Sequence, residues 1–131
     1  MKCGFTLLLY DDDQHDGKPH LHIVISDPDE NDKVVLVSVT TERAKSDTMV
    51  RLAAGDHPFI ERPSVITYAY SKVMACALIR SLVASGDARA KEQASDQLVK
   101  RAQLGMLETD RAPEEVQEVF RWWWSQRNAS F

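Results

Sequence analysis

The amino-acid sequence predicts an α+β fold: a small barrel or strongly bent sheet of about five strands, followed by three helices. Three observations carry this. The first 70 of the 131 residues hold five short apolar runs separated by Gly, Pro, Asp and Asn, the punctuation of short strands joined by turns. Two of those runs, Lys18 to Ser26 and Val34 to Thr41, flank the acidic stretch Asp27-Pro28-Asp29-Glu30-Asn31-Asp32-Lys33 and read as a hairpin. After Tyr70 the spacing of apolar residues changes from strand-like to helical.

Taken in order, Phe5 to Tyr10 reads as the first strand, and the polar segment Asp11 to Gly17 ends it. The acidic run Asp11-Asp12-Asp13 with Asp16 offers carboxylates to a hard cation, but it lacks the alternate ligand spacing and terminal Glu of an EF-hand loop. A solvated loop that keeps a sheet edge from pairing is the preferred reading. In the second strand, alternation puts His20, His22, Val24 and Ser26 on one face and Leu21, Ile23 and Ile25 on the other. The third ends in Thr40-Thr41-Glu42-Arg43, where a strand enters a loop. A short run at Thr48 to Leu52, the turn Ala53 to Pro58 and a strand from Pro63 to Tyr70 complete the β region.

Three helices are expected beyond it. The first covers Val73 to Val83, with Ala75, Leu78, Ile79 and Leu82 as its apolar face and Gly86 as its stop. Ser95 caps the second, which presents Leu98, Val99 and Ala102 and stops at Gly105. Pro113 opens the third, with Glu114 and Glu115 in its first turn and Val116, Val119, Phe120 and Trp123 facing inward. The consecutive Trp122, Trp123 and Trp124 spread too widely around a helix to share one core, so at least one is expected at the surface or against a partner.

With 44% hydrophobic and 27% charged residues, the chain suits one globular domain spanning residues 1–131. No apolar run approaches the roughly 20 residues that span a bilayer, and no secretory leader is evident, so a cytoplasmic protein is expected. Cys3 and Cys76 lack metal spacing and read as free thiols. The formal charge is −4; residues 1–65 carry 7 Lys/Arg against 12 Asp/Glu and residues 66–131 carry 9 against 8. That balance excludes a broad basic nucleic-acid face, so any nucleic-acid role must rest on a local pocket. His20 and His22 on one strand face can be acid and base partners, metal ligands with help from Asp56 and His57, or hydrogen-bonded structural residues.

The run Lys18-Pro19-His20-Leu21-His22-Ile23-Val24-Ile25-Ser26, a loop, and then Val35-Leu36-Val37-Ser38-Val39-Thr40-Thr41 resembles the Arg-Pro-apolar-Val-Leu-Ser and Val-Pro-x-Thr-Thr/Ser core of the MazF/PemK-like toxins of bacterial toxin-antitoxin modules. The resemblance covers residues 5–72. It implies an SH3-like barrel over residues 1–72 with residues 73–131 as a helical extension packed on it. It further implies metal-independent cleavage of single-stranded RNA without a cofactor, a homodimer, and a cognate antitoxin as partner. The family's catalytic Arg falls on Lys18 and its Thr on Thr40 or Thr41; Ser38 replaces the family's strand Pro, and Gly55 to Phe59 lies outside the motif.

RNA transesterification needs a base for the ribose 2'-hydroxyl, positive charge for the phosphorane and an acid for the leaving oxygen. Lys18, His20, His22 and Thr40 are therefore the candidate catalytic residues, with Arg43, Thr41 and His57 as RNA contacts and no metal. From a different class, a non-catalytic barrel could bind a protein or peptide through the barrel groove or the Trp-rich helix. A small metalloenzyme using His20, His22 and His57 is the third reading.

Overall fold

Among the described residues, six strands form one antiparallel, curled half-barrel sheet, and three helices cover it. The structure is a computed structural model and describes residues 1–11, 14 and 16–128. The elements are β1 (Thr6–Tyr10), β2 (Pro19–Val24), β3 (Lys33–Thr41), β4 (Arg51–Leu52), β5 (Ser64–Ala75), α1 (Cys76–Ser85), β6 (Arg89–Lys91), α2 (Asp96–Glu108) and α3 (Glu114–Asn128). In space the strands run β4-β5-β3-β2-β1-β6.

The expected hairpin is β2 and β3, paired with Leu21 opposite Val39 and Val24 opposite Leu36. Its acidic turn closes on itself because the Asp29 carboxylate accepts the amides of Asn31 and Lys33 at 2.9 and 3.0 Å, the local bonding that makes Asp a turn former. Ser26 Oγ accepts the Val35 amide at 2.8 Å, so this buried donor at the strand end is paired.

Alternation along β3 divides the core between the two faces of the sheet. Val35, Val37 and Val39 join Leu21, Ile23, Ile66 and Tyr68 beneath Leu98, Ala102 and Met106 of α2 and Val116 and Phe120 of α3. Val34 and Leu36 join Leu7, Leu9 and Val24 beneath Cys76 and Ile79 of α1. Each such fully buried aliphatic side chain stabilises the fold by about 1.5–3 kcal/mol.

β5 keeps pace with β3 except at one place. Leu36 pairs with Lys72 and Ser38 with Thr67, so residues 68–71 stand opposite Val37 alone. An irregularity of this kind bends and twists a strand. Ser71 Oγ donates to the Tyr68 carbonyl at 2.6 Å and closes it.

Several expectations change. The sheet has six strands rather than about five, because Arg89-Ala90-Lys91 pairs with β1 at the sheet edge. A three-residue run with two cations gives no alternation to read, and it draws the sheet from both sides of residue 72. The first helix begins at Cys76, since Val73, Met74 and Ala75 prolong β5. Its buried residues are Cys76 and Ile79 while Leu78 is half exposed. Gly86 does end it, with φ 84°. Ser95 caps α2 as expected, accepting the Leu98 amide at 3.1 Å. Both cysteines are free thiols.

Gly105 is not the stop of α2, which continues to Glu108. It is glycine because the helix crosses Tyr68 at close range: a Cβ there would overlap the Tyr68 hydroxyl and crowd Val50. The Tyr68 hydroxyl in turn donates to the Ala102 carbonyl at 2.9 Å, clamping α2 to β5. Gly105→Ala should therefore lower unfolding stability by about 1–3 kcal/mol despite alanine's better helix propensity. Denaturant titration checks this, and Tyr68→Phe in the same chain should recover part of the loss; an alanine variant as stable as the parent would show that the helix backs away freely.

Candidate functional site

Where α1 covers the outer face of the sheet, that face is apolar; beyond it, the same face turns polar. Alternation continues the rows of Val34 and Leu36 into Ser38 and Thr40, and Ser38 lies between His22 of β2 and Thr67 of β5. The β1–β2 loop folds over this end. Gln14 Nε2 donates to Ser38 Oγ at 3.0 Å, and the Asp11 carboxylate, almost wholly buried, meets Lys72 Nζ at 2.9 Å. Thr40 and Thr67 share a hydroxyl hydrogen bond of 2.7 Å.

At the mouth of this region opens a cleft of about 680 Å³. Five of the seven residues expected at a site line it: Lys18, His20, Thr40, Thr41 and Arg43. They come together because β2 begins where β3 ends in the antiparallel hairpin. Sequence reasoning missed Asp16, Phe59, Arg62 and Tyr70, which complete the walls. Asp16 sits 2.7 Å from His20 Nε2, an approach set by Gly17, whose φ of 66° reverses the chain. The Lys18 amide and then the His20 imidazole hold the Asp16 carboxyl below the ordinary carboxylate range. His20 Nδ1 makes no protein hydrogen bond among the described residues, which leaves one ring nitrogen for a ligand while the other is oriented by a carboxylate.

The charge of the cleft differs from that of the chain. Lys18, Arg43 and Arg62 line it against Asp16 and Glu61, and none of the three cations forms an ion pair among the described residues. Phe59, 42% exposed, presents a ring over which Lys91 Nζ lies at 5.7 Å from the centroid. An anionic ligand with flat rings meets both positive charge and aromatic surface here.

His22 and His57 do not reach the cleft. His22 is 0% exposed; its Nδ1 donates to the His20 carbonyl at 2.9 Å and its Nε2 has no partner among the described residues. It shares a strand face with His20, as alternation predicts, but it is buried at the position where Gln14 bonds the neighbouring Ser38. His57 is buried with Nε2 donating to the Glu92 carbonyl at 2.6 Å and Nδ1 accepting the Phe59 amide at 3.0 Å. Both ring nitrogens are used in pinning the turn to the end of β6, so the RNA contact expected of His57 is replaced by a structural one. The three histidines therefore do not converge, and among the described residues no group of three or more His, Cys, Asp or Glu could hold a metal ion. Asp12 and Asp13 of the acidic run lie outside the described residues.

Burial of His22 drives its pKa down from 6.5 to about 4. The unfolded chain therefore takes up this proton first as pH falls. The resulting loss of stability begins below about pH 6.5, is complete below about pH 4, and approaches about 3 kcal/mol. Unfolding midpoints measured from pH 7 to 4 should fall more steeply for the natural chain than for His22→Gln, whose side chain does not titrate. Parallel curves would remove the role given to burial.

No helix among the described residues is long and apolar enough to cross a membrane. No protein-family model matches the chain, and no match is found among curated proteins or solved structures.

Proposed function

We propose that the cleft binds single-stranded RNA and cleaves it by metal-independent transesterification, in an SH3-like barrel of the MazF/PemK-like toxin kind. The observation that carries this is the convergence of Lys18, His20, Thr40, Thr41 and Arg43 on one cleft, with Asp16 bonded to His20. In this reading a homodimer and a cognate antitoxin are the partners, and the activity is confined to the cytoplasm.

His20, oriented by Asp16 through Nε2, is the base: its Nδ1 takes the proton from a ribose 2'-hydroxyl. The freed oxygen attacks the adjacent phosphorus, and the charge of the five-coordinate phosphorane is met by Lys18 and Arg43. Thr40 donates to a phosphate oxygen, and Thr41 with Arg62 holds the neighbouring phosphate. The bond from phosphorus to the 5'-oxygen breaks, that oxygen takes a proton from solvent, and the products are a 2',3'-cyclic phosphate and a 5'-hydroxyl. Lysine in place of the family's Arg supplies a point charge without a bidentate fork. A third cation, Arg62, and the carboxylate-oriented imidazole compensate for it. His22 and His57 take no part.

Induced expression should arrest growth and fragment total RNA, and the purified protein should cleave a single-stranded oligonucleotide equally with and without a chelator. His20→Gln should slow cleavage by roughly 100- to 10,000-fold, and Lys18→Ala and Arg43→Ala should each weaken it, with unfolding midpoints unchanged. Intact RNA and normal growth with the folded natural chain would replace this reading by the non-catalytic binding module.

A further inference from the structure

The opposite end of the β2–β3 hairpin carries a surface of the contrary sign. Between the acidic turn and α3 runs a groove of about 410 Å³ lined by Asp29, Glu30, Asn31, Glu118, Val119 and Trp122. Its floor is apolar: Val119 packs partly against the core, and Trp122 remains 46% exposed. Phe120, Trp123 and Trp124 form an aromatic cluster at centroid separations of 5.7 to 6.4 Å, with Phe120 and Trp124 stacked and the other pairs tilted, and Trp122 is not among them. An indole left outside an aromatic cluster on its own helix is surface that folding does not use.

The walls are acidic on both sides, and the groove holds no cation. Asp29 is engaged in its turn through Oδ1, whereas Glu30 and Glu118 form no ion pair among the described residues. Glu114 and Glu115 have a structural reason for their place, since α3 begins at Glu114 and its first turn favours negative charge. Glu118 lies beyond that turn and one helical repeat from Glu114, where like charges repel along a helix face. Glu114, Glu118 and Trp122 thus form one stripe of α3 at spacings of four. It places carboxylates beside an exposed indole.

We propose that this groove docks a cationic segment of a partner protein, with an apolar side chain on Val119 and Trp122 and Lys or Arg on Glu30 and Glu118. Charge complementarity selects this occupant. Nucleic acid is repelled by the walls, and a second copy in register would set carboxylate against carboxylate. One cation seated over Trp122 would satisfy the ring face and Glu118 together, and exposed Trp is enriched among residues that dominate binding energy. The groove and the cleft are separated by the length of β3, on the order of 25 Å, so the inference stands independently of RNA cleavage.

A labelled amphipathic Lys/Leu peptide, titrated with the full chain and followed by anisotropy and by tryptophan emission, tests it. Binding should weaken with added salt, and the same peptide with Glu for Lys should not bind. Trp122→Ala and the double variant Glu30→Gln with Glu118→Gln should each weaken binding by roughly tenfold, with unfolding midpoints unchanged. Absence of binding, equal binding to the double variant, or equal binding of the Glu/Leu peptide would overturn the proposal. So would a dimer in sedimentation that Trp122→Ala dissociates, which would make the occupant a second copy of the chain.

Discussion

The structure depends on one strand being buried on both faces. β3 has Val34 through Val39 fully or almost fully inaccessible, and a strand in that position needs cover on each side and a hydrogen-bonded neighbour on each edge. β2 and β5 supply the edges. The chain supplies the cover in two instalments, α1 over Val34 and Leu36 and then α2 with α3 over Val35, Val37 and Val39. Ser38 is the exception in that apolar run, and its partner Gln14 comes from the loop that builds the cleft. The requirement to satisfy one buried hydroxyl therefore also helps to place Asp16 beside His20.

The same arrangement explains why the cleft sits where it does. A helix of ten residues spans about 15 Å, so α1 covers only part of the outer face. Apolar residues occupy the covered part; His20, His22, Ser38, Thr40 and Thr67 occupy the rest. Polar side chains on a strand that is apolar elsewhere mark the limit of a covering element. Burial then divides them again: His22 is wholly enclosed, whereas His20 lines the mouth.

What was legible in the sequence follows the range of each signal. The hairpin, the Ser95 cap, the Gly86 stop and the inward residues of α3 are local patterns within one or two turns or strands, and they match the structure. Alternation also placed His20 and His22 on a common face, but it carries no information about what covers that face. Gly105 reads locally as a helix stop and is globally the point where Tyr68 passes beneath α2. His57 reads as an available imidazole until the Glu92 carbonyl, 35 residues away, accepts a hydrogen bond from its Nε2. β6 gave no local signal, because its place is set by the open edge of β1. Asp16 was read with the solvated acidic loop, although a positive φ at the neighbouring Gly17 is what turns it toward β2.

Net charge is silent about either end of the hairpin for a related reason. A formal charge of −4 sums over the chain, whereas a ligand responds to charges within about a Debye length, roughly 8 Å at physiological salt. Lys18, Arg43 and Arg62 gather at one end of the hairpin, and Asp29, Glu30 and Glu118 at the other. The two ends lie about three Debye lengths apart, so each acts with its own sign and neither cancels the other. An acidic composition is thus compatible with a cationic cleft when the carboxylates are segregated along one strand, and the β2–β3 hairpin, with its acidic turn and cationic ends, performs that segregation.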